Sequence, residues 1–368
     1  MQDLKIGRLT VRAVEVPMKR PLATAGGAVS SAPLVLIDLE TVRGGSEAGP
    51  IGRSYVFGYA ALTLAPLTAL LDSLGAMIAG DALAPLDVEA KLKARFKLLG
   101  PQGLAGMALA GIDMALWDAL AKAAELPLAR LLGGAPRPIP AYNSKGLGLI
   151  GAQRAGEEAR ALVDEGFQAV KVRLGYAELT EDLAVLRAVR QAIGDDVLLM
   201  SDYNQGLSVP EAQRRVDALD EEADLVWIEE PVRCDDYAGA AEVRAGARTP
   251  IQLGENCWGP EDMGKALTEE CCDFFMPDAV KIGGVSGWLR AIGLAAPSGL
   301  PLSSHLFPEI SAHLMAVTPT RHWLEMVDWA EPILAESPVT VTDGQAIASE
   351  RPGSGLEWNE DAVARYAA

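Results

Sequence analysis

The chain has 368 residues, of which 49% are hydrophobic and 22% charged, enough apolar sequence for a large core in about two domains. Its formal net charge of −18, with neither a basic stripe nor a basic tail, disfavours nucleic acid and anionic membranes as partners.

The start, MQDLKIGRLT, lacks the apolar core of a signal peptide, and no window approaches about 18 uninterrupted apolar residues, so the chain reads as cytoplasmic. Residues 4–16 (LKIGRLTVRAVEV) and 33–41 (PLVLIDLET) alternate as strands of an antiparallel sheet do. Between them TAGGAVSSA is expected as a small-residue loop that can fold over a ligand. GGSEAGPIG at 44–52 reads as a turn region. Two helical stretches follow, at 61–80 and 103–124.

From about residue 138 short apolar runs alternate with amphipathic segments. Eight strands are expected, ending near Ser144, Arg173, Asp202, Glu229, Gly254, Pro277, Ser304 and Glu325. The helices between them are expected at 154–165, 181–193, 210–222, 237–246, 260–269, 286–296 and 310–317. Such alternation predicts an α/β fold, a modified (β/α)8 barrel of the TIM type, (β/α)7β, behind an N-terminal α+β domain. The expected division is 1–130 for the α+β domain, 131–337 for the barrel and 338–368 for a strand-like segment returning to the first domain. Gly283-Gly284 is no phosphate loop, because it lacks both the lysine–hydroxyl pair and the G-x-G-x-x-G order. The cysteines (Cys234, Cys257, Cys271, Cys272) have no C-x-x-C spacing, which speaks against a disulfide framework or a zinc site and leaves the vicinal pair as buried packing.

The chemistry is spaced along the barrel. Asp202 (MSDYNQ), Glu229 (WIEEP), Glu255 (LGEN), Asp278 (MPDAVKIGG) and His305 (SSHLF) follow one another at steps of 27, 26, 23 and 27 residues, about one strand-plus-helix unit each. Strand ends of a parallel barrel converge on its catalytic face. Asp202, Glu229 and Glu255 on three neighbouring strands repel one another unless a cation lies between them, and oxygen-only ligands suit a hard ion, Mg²⁺ first. Taken singly each is equally an N-cap for the following helix. Glu230 is expected on the other side of its strand, in the barrel wall or behind the metal ligands.

Asp278 beside His305 would fix the tautomer and raise the basicity of the free ring nitrogen. His313 and His322 read as packing or surface residues. Lys171 and Arg173 in VKVRLG share a strand face and would point into the barrel mouth across from His305. Glu325 in HWLEM, crowded among acids, is expected with a raised pKa, protonated and donating to an oxyanion. Asn204 is placed to bind a substrate hydroxyl. Together these residues can hold a substrate carboxylate, remove its α-proton and stabilise the enediolate.

The stretches AVKVRLG, SDYNQ, WIEEP, QLGEN, MPDAVKIGGVSGW, SSHLFPEISAHL and HWLEM, with TAGGAVSSAPLVLIDL and GIDMALWDAL nearer the front, resemble the enolase superfamily, mandelate racemase subgroup, over nearly the whole chain. The resemblance implies Asp202, Glu229 and Glu255 as Mg²⁺ ligands, His305 with Asp278 as one base, and Glu325 as the electrophilic carboxyl. It implies Lys171 and Ser144 at the substrate carboxylate, and Asn204 near the hydroxyl. Leu22, Val29 and Tyr55 match an apolar cap over an aryl group, the first domain becomes a capping domain, and a homo-oligomer, an octamer or smaller, is expected.

One position departs from the subgroup: the second cation of the strand-two pair, a lysine base in the racemase, is Arg173 here. Holding a guanidinium neutral at pH 7 costs roughly 9 kcal/mol. Lys171 is one candidate substitute base; Lys281, a base position in the related muconate-lactonizing subgroup, is the other and is expected to face away, three residues after Asp278. The expected function is therefore an isomerase, a racemase or epimerase of an apolar 2-hydroxy carboxylate. Dehydration of a β-hydroxy acid of the acid-sugar type, which needs only one base, is the alternative, and an inactive carboxylate-binding or scaffold protein the reading of another class. The cap loop residues Leu22, Ala23, Ala25, Ala28 and Val29 suit an apolar substituent better than a polyol.

Overall fold

In the computed structural model, which describes residues 4–44 and 47–368, the two alternating segments at the front pair into one long hairpin. Strand β1 (Leu4–Thr24) runs antiparallel to β2 (Gly27–Arg43), from Leu4 opposite Arg43 to Thr24 opposite Gly27. The expected loop TAGGAVSSA is thus a correction: the strands continue almost to its tip, with Leu22 opposite Val29 and Ala23 opposite Ala28. Small side chains hid the alternation there, while the backbone groups still found partners across the hairpin. The turn closes through Thr24, whose hydroxyl donates to Gly27 O at 3.1 Å.

Part of the expected 44–52 turn region is β3 (Glu47–Ala48), followed by β4 (Gly52–Phe57) on the other edge of β2. Gly45 and Ser46 lie outside the described residues. Three helices, α1 (Leu64–Ile78), α2 (Pro85–Arg95) and α3 (Gly103–Ala123), and the short α4 (Leu128–Leu131) complete this domain. Helix α1 turns Leu64, Leu67, Leu71, Leu74 and Ile78 inward, the i, i+3/i+4 stripe of an amphipathic helix, each such burial worth about 2 kcal/mol. By length and composition Ala61–Ile78 and Gly103–Ala123 could each cross a membrane. Here α1 lays its stripe on the sheet and α3 is the central core helix, apolar nearly all round because it is nearly all buried. Gly52 lets β4 approach α3, since a Cβ there would lie 2.0 Å from Ala115 O.

The barrel strands are β5 (Ile139–Asn143), β6 (Ala169–Arg173), β7 (Leu198–Asp202), β8 (Ile228–Glu229), β9 (Ile251–Leu253), β10 (Phe274–Phe275) and β11 (Leu324–Met326). Consecutive members from β5 to β10 pair in parallel, and β11 pairs with β5. Residues 302–305 complete the ring through parallel bridges from Leu302 to Phe275 and to Arg321, and from His305 to Asp278. Between the strands run α5 (Ala152–Val163), α6 (Leu179–Ile193), α7 (Val209–Glu222), α8 (Tyr237–Gly246), α9 (Gly259–Thr268), α10 (Gly284–Ala295) and α11 (Pro308–Ala316). After β11 the chain makes a hairpin of β12 (Val339–Thr342) and β13 (Gln345–Ala348), which pairs antiparallel with β5. The ring is therefore (β/α)7β with an N-terminal capping domain.

Beyond the hairpin the chain returns to the first domain. Trp358 Nε1 donates to Asp38 Oδ1 (2.8 Å), the Ser354 N–H donates to Asp118 (2.6 Å), and α12 (Glu360–Arg365) lies beside β1 through Arg12–Glu360.

Candidate active site

Asp202 and Glu229 close β7 and β8 as register partners, and Glu255 follows β9 by two residues. One carboxylate oxygen from each lies within 4.8 Å of the other two, close enough for a single hard cation. Around them Glu230, Asp278 and Glu325 add negative charge against Lys171, Arg173 and Lys281, an excess that a divalent ion offsets. Burial pushes the Glu229 carboxyl up to about 8, with Lys171 opposing and Asp202 reinforcing. The donor set and its spacing fit Mg²⁺.

Two neighbours hold these ligands. The Asn204 N–H and Nδ2 donate to Asp202 at 2.7 and 2.9 Å. Asn256 Nδ2 bridges Glu255 (3.1 Å) and Glu230 (2.8 Å). Glu230 stands at φ +37, is buried, and is not among the residues that line the cavity. Asn204 and Gln205 also have positive φ, 45° and 65°, and such left-handed backbone off glycine concentrates where loops are shaped for function.

His305 enters from the seventh barrel position. Its Nδ1 lies 2.8 Å from Asp278 Oδ2, and Nε2 lies 3.1 Å from Glu255 Oε2. Burial alone would lower the imidazole pKa, but Glu255, Asp278 and Glu325 outweigh it and raise it to about 9. The other oxygen of Asp278 accepts the N–H groups of Val280 (2.8 Å) and Lys281 (2.9 Å), so the carboxylate that orients the ring is itself fixed. His313 and His322 are packing residues: His313 is wholly buried between Ala129 N (3.2 Å) and Ser354 O (3.3 Å), and His322 sits against Trp227 and Phe274.

Across the barrel, Lys171 and Arg173 both face the cavity but do different things. Lys171 Nζ lies 2.5 Å from Glu229, 3.1 Å from Glu325 and 3.4 Å from Asp202. Burial works against its charge, yet Glu229, Glu325 and Asp202 hold the ammonium well above its ordinary range. Arg173 donates to Ser144 Oγ (2.7 Å) and Gly146 O (2.6 Å). Among the described residues its buried Nε has no partner. Ser144 is consequently engaged by Arg173 and sits behind it.

The expectation for Glu325 is corrected. Burial raises its pKa, but Lys171 and His305 outweigh burial and hold the carboxyl below the usual carboxylate range. Crowding by acids suggested a protonated group; the ammonium at 3.1 Å reverses that.

Lys171, Arg173, Asp202, Glu255, His305 and Glu325 line a cavity of ≈ 550 Å³ that the capping domain covers with Leu22 and Val29 from the hairpin and Phe57, Tyr59 and Met107, joined by Trp258, Leu306 and Trp329 from the barrel loops. Tyr55, expected in the cap, is elsewhere. It is buried with its hydroxyl donating to Glu309 Oε2 (2.7 Å) and its ring 5.1 Å from Phe307. Phe57, two residues on, does line the cavity, its ring tilted against Tyr59 (4.6 Å) and Trp329 (4.7 Å). A second correction concerns Lys281, which enters the cavity. Residues 279–283 form a turn rather than a strand, so simple alternation does not apply, and Nζ reaches Asn256 Oδ1 (2.6 Å) and the Tyr59 ring (4.5 Å). Gln205, Asn256, Trp258, Phe57, Tyr59, Met107 and Trp329 were not singled out from the sequence. Only the adjacency of Asn256 to Glu255 and of Gln205 to Asn204 was a signal.

Residues 8–133 match the mandelate racemase / muconate lactonizing enzyme N-terminal domain, and residues 154–362 the enolase C-terminal domain-like family. An enolase from Bradyrhizobium, solved with magnesium and mandelic acid, is 46% identical over 100% of this chain and 99% of its own, with a TM-score of 0.93. An enolase from alpha pretobacterium bal199 with bound magnesium is 42% identical over 99% of this chain and 100% of its own, at a TM-score of 0.95. Among curated relatives, L-talarate/galactarate dehydratase of Salmonella typhimurium is 35% identical over 72% of this chain and 66% of its own length.

Proposed function

Since the chain belongs to the enolase superfamily, in the mandelate racemase / muconate lactonizing enzyme group, whose members carry out metal-dependent proton abstraction, we propose that it acts on an apolar, aryl-type 2-hydroxy carboxylate, with racemisation or epimerisation as the outcome. The observation that carries this reading is the apolar roof of Leu22, Val29, Phe57 and Trp329 over the His305–Asp278 pair and the acidic triad. The 46% identical enolase that binds mandelic acid supports it.

Asp202, Glu229 and Glu255 would hold Mg²⁺, which supplies Lewis-acid stabilisation of developing oxygen charge. Lys171 and Arg173 hold the substrate carboxylate by charge and hydrogen bonds. His305 Nε2 takes the α-proton, while Asp278 keeps its other nitrogen protonated and the ring aimed. Lys171 meets the new enediolate charge. Asn204 and Gln205 lie at the cavity edge for the 2-hydroxyl. The roof excludes water.

Inversion requires a proton on the second face. Lys281 follows Asp278 on the position next to His305, on the same side of the ring, so it does not serve that face. Lys171 is then the proton donor there, and racemisation is slower than exchange on the His305 face.

Dehydration of an acid sugar is the second reading. It is favoured by the single strong base and by the polar edge of Asn204, Gln205 and Asn256, and by the dehydratase among the relatives. Proton NMR in D₂O with Mg²⁺, using each enantiomer of mandelate, tests the proposal. Exchange of one enantiomer with slow loss of rotation supports it. Turnover of acid sugars to dehydrated keto acids, without exchange of mandelate, overturns it.

We further propose a homo-oligomer as the working assembly, to be checked by light scattering.

A further inference from the structure

Helix α10 begins at Gly284 directly behind the turn that carries Asp278 and Lys281, and the cap residue Gly283 offers it no side chain. The cap comes from the other domain. Asp113, in the middle of α3 and 3% exposed, accepts the Ser286 N–H on Oδ2 (3.0 Å) and the Ser286 hydroxyl on Oδ1 (2.5 Å). One helical turn on, Trp117 Nε1 donates to the same hydroxyl (2.9 Å). A carboxylate at a helix N-terminus satisfies free N–H groups and complements the helix dipole, here across a domain boundary.

The fit is close. Gly283 and Gly284 have φ +98 and +73, and a Cβ on Gly284 would lie 2.4 Å from Asp113 Oδ2. Glycine both permits this backbone and makes room for the carboxylate. The segment from Asp278 to Ser286 is therefore pinned at both ends. At one end Asp278 binds His305 and its own turn; at the other Asp113 binds Ser286. Between them Ile282 N bonds Asp278 O (2.9 Å), Gly284 N bonds Ala279 O (2.8 Å), and Lys281 O accepts from Gly259 N (3.0 Å). A compact turn so bonded transmits a displacement at one end to the other.

We propose that Asp113 is a positioning residue for proton transfer: from the capping domain it sets the turn that aims Asp278 at His305 and brings Lys281 into the cavity. The inference rests on the proposed role of His305 as base, and the test separates the two.

The chain has three histidines, so ¹⁵N-histidine labelling of the full protein with Mg²⁺ gives a spectrum simple enough to assign His305. Its Nδ1 proton, held by Asp278, reports the pair without any substrate. Asp113→Asn is expected to shift or broaden that resonance, leave His313 and His322 in place, and lower kcat for α-proton exchange about 10- to 100-fold, with KM changed less than about threefold, as for other residues that orient a reacting group from behind. Asp118→Asn is the control. It lies five residues along α3, binds Arg53 N and Ser354, and has no bond to the 278–286 segment. It should lower Tm and leave both readouts unchanged.

Should Asp113→Asn not fold, Ser286→Ala keeps the N–H bond and loses the hydroxyl; it should give a smaller shift in the same resonance and about a threefold fall in kcat. A native His305 signal in the folded variant, whatever its Tm, overturns the proposal. Absence of exchange in wild-type protein with every hydroxy acid tried counts against the function, while the resonance still decides the role of Asp113.

Discussion

Replacing Arg173 by lysine should convert a slow racemase, in which exchange on the His305 face runs ahead of inversion, into an efficient one. Making a guanidine base at pH 7 from a group of pKa near 13.8 costs about 9 kcal/mol, and a lysine of ordinary pKa costs about 5 kcal/mol. The difference of about 4 to 5 kcal/mol corresponds to roughly 10³-fold in rate. Arg173 also gives up its bonds to Ser144 Oγ (2.7 Å) and Gly146 O (2.6 Å), and leaving such buried acceptors unpaired costs about 1–3 kcal/mol in stability. The variant should thus melt a few degrees lower and still racemise faster.

The assay follows loss of optical rotation beside α-proton exchange in D₂O, starting from each enantiomer of mandelate. In wild-type protein, exchange of the enantiomer facing His305 should outrun racemisation by at least about 10²-fold; in Arg173→Lys the gap should close by roughly 10³-fold. Equal rates of exchange and racemisation in wild type would show that Arg173 is bypassed. A folded, metal-binding Arg173→Lys with no second-face exchange would refute the assignment of that face.

Other outcomes follow from the same geometry. Asp278→Asn removes the acceptor at 2.8 Å from His305 Nδ1 and should cut exchange by about 10²-fold or more with Mg²⁺ binding retained in a thermal-shift titration. Glu229→Gln should abolish the Mg²⁺-dependent stabilisation, which for the intact triad is about 2.7 kcal/mol at 100 times Kd; persistence of that shift would place the metal elsewhere. Gly148→Ala puts a Cβ 2.6 Å from Ala23 O, whose bond to Leu149 N (2.7 Å) seats the hairpin tip, so KM should rise with kcat less affected in steady-state kinetics. Burial lowers the His313 pKa to about 4, so its contribution is full above the unfolded value near 6.5 and is lost as pH falls toward 4, about 3 kcal/mol in all. Urea melts at pH 7.5 and 5 should show a shallower acid loss in His313→Gln, and identical slopes would remove His313 from the account.

Much of the molecule was legible from residue pattern alone. The even spacing of Asp202, Glu229, Glu255, Asp278 and His305 gave the barrel rhythm because each strand-plus-helix unit has nearly fixed length. The carboxylate triad followed because strand ends converge. Patterns of period 2 and 3.6 locate most elements; in TAGGAVSSA the side chains are too small to alternate, and the pattern there suggests a loop where the strands in fact continue.

What only the tertiary structure decided depends on contacts distant in sequence. Glu325 is held below the usual carboxylate range because Lys171, 3.1 Å away, and His305 together outweigh its burial. Tyr55 leaves the cavity because Glu309 takes its hydroxyl, and Lys281 enters because a turn breaks the strand alternation. The cap on α10 was beyond reach of any local rule, since Asp113 and Ser286 stand 173 residues apart. Local sequence fixes periodicity and the order of chemical groups; which charge faces which is settled only when the elements pack.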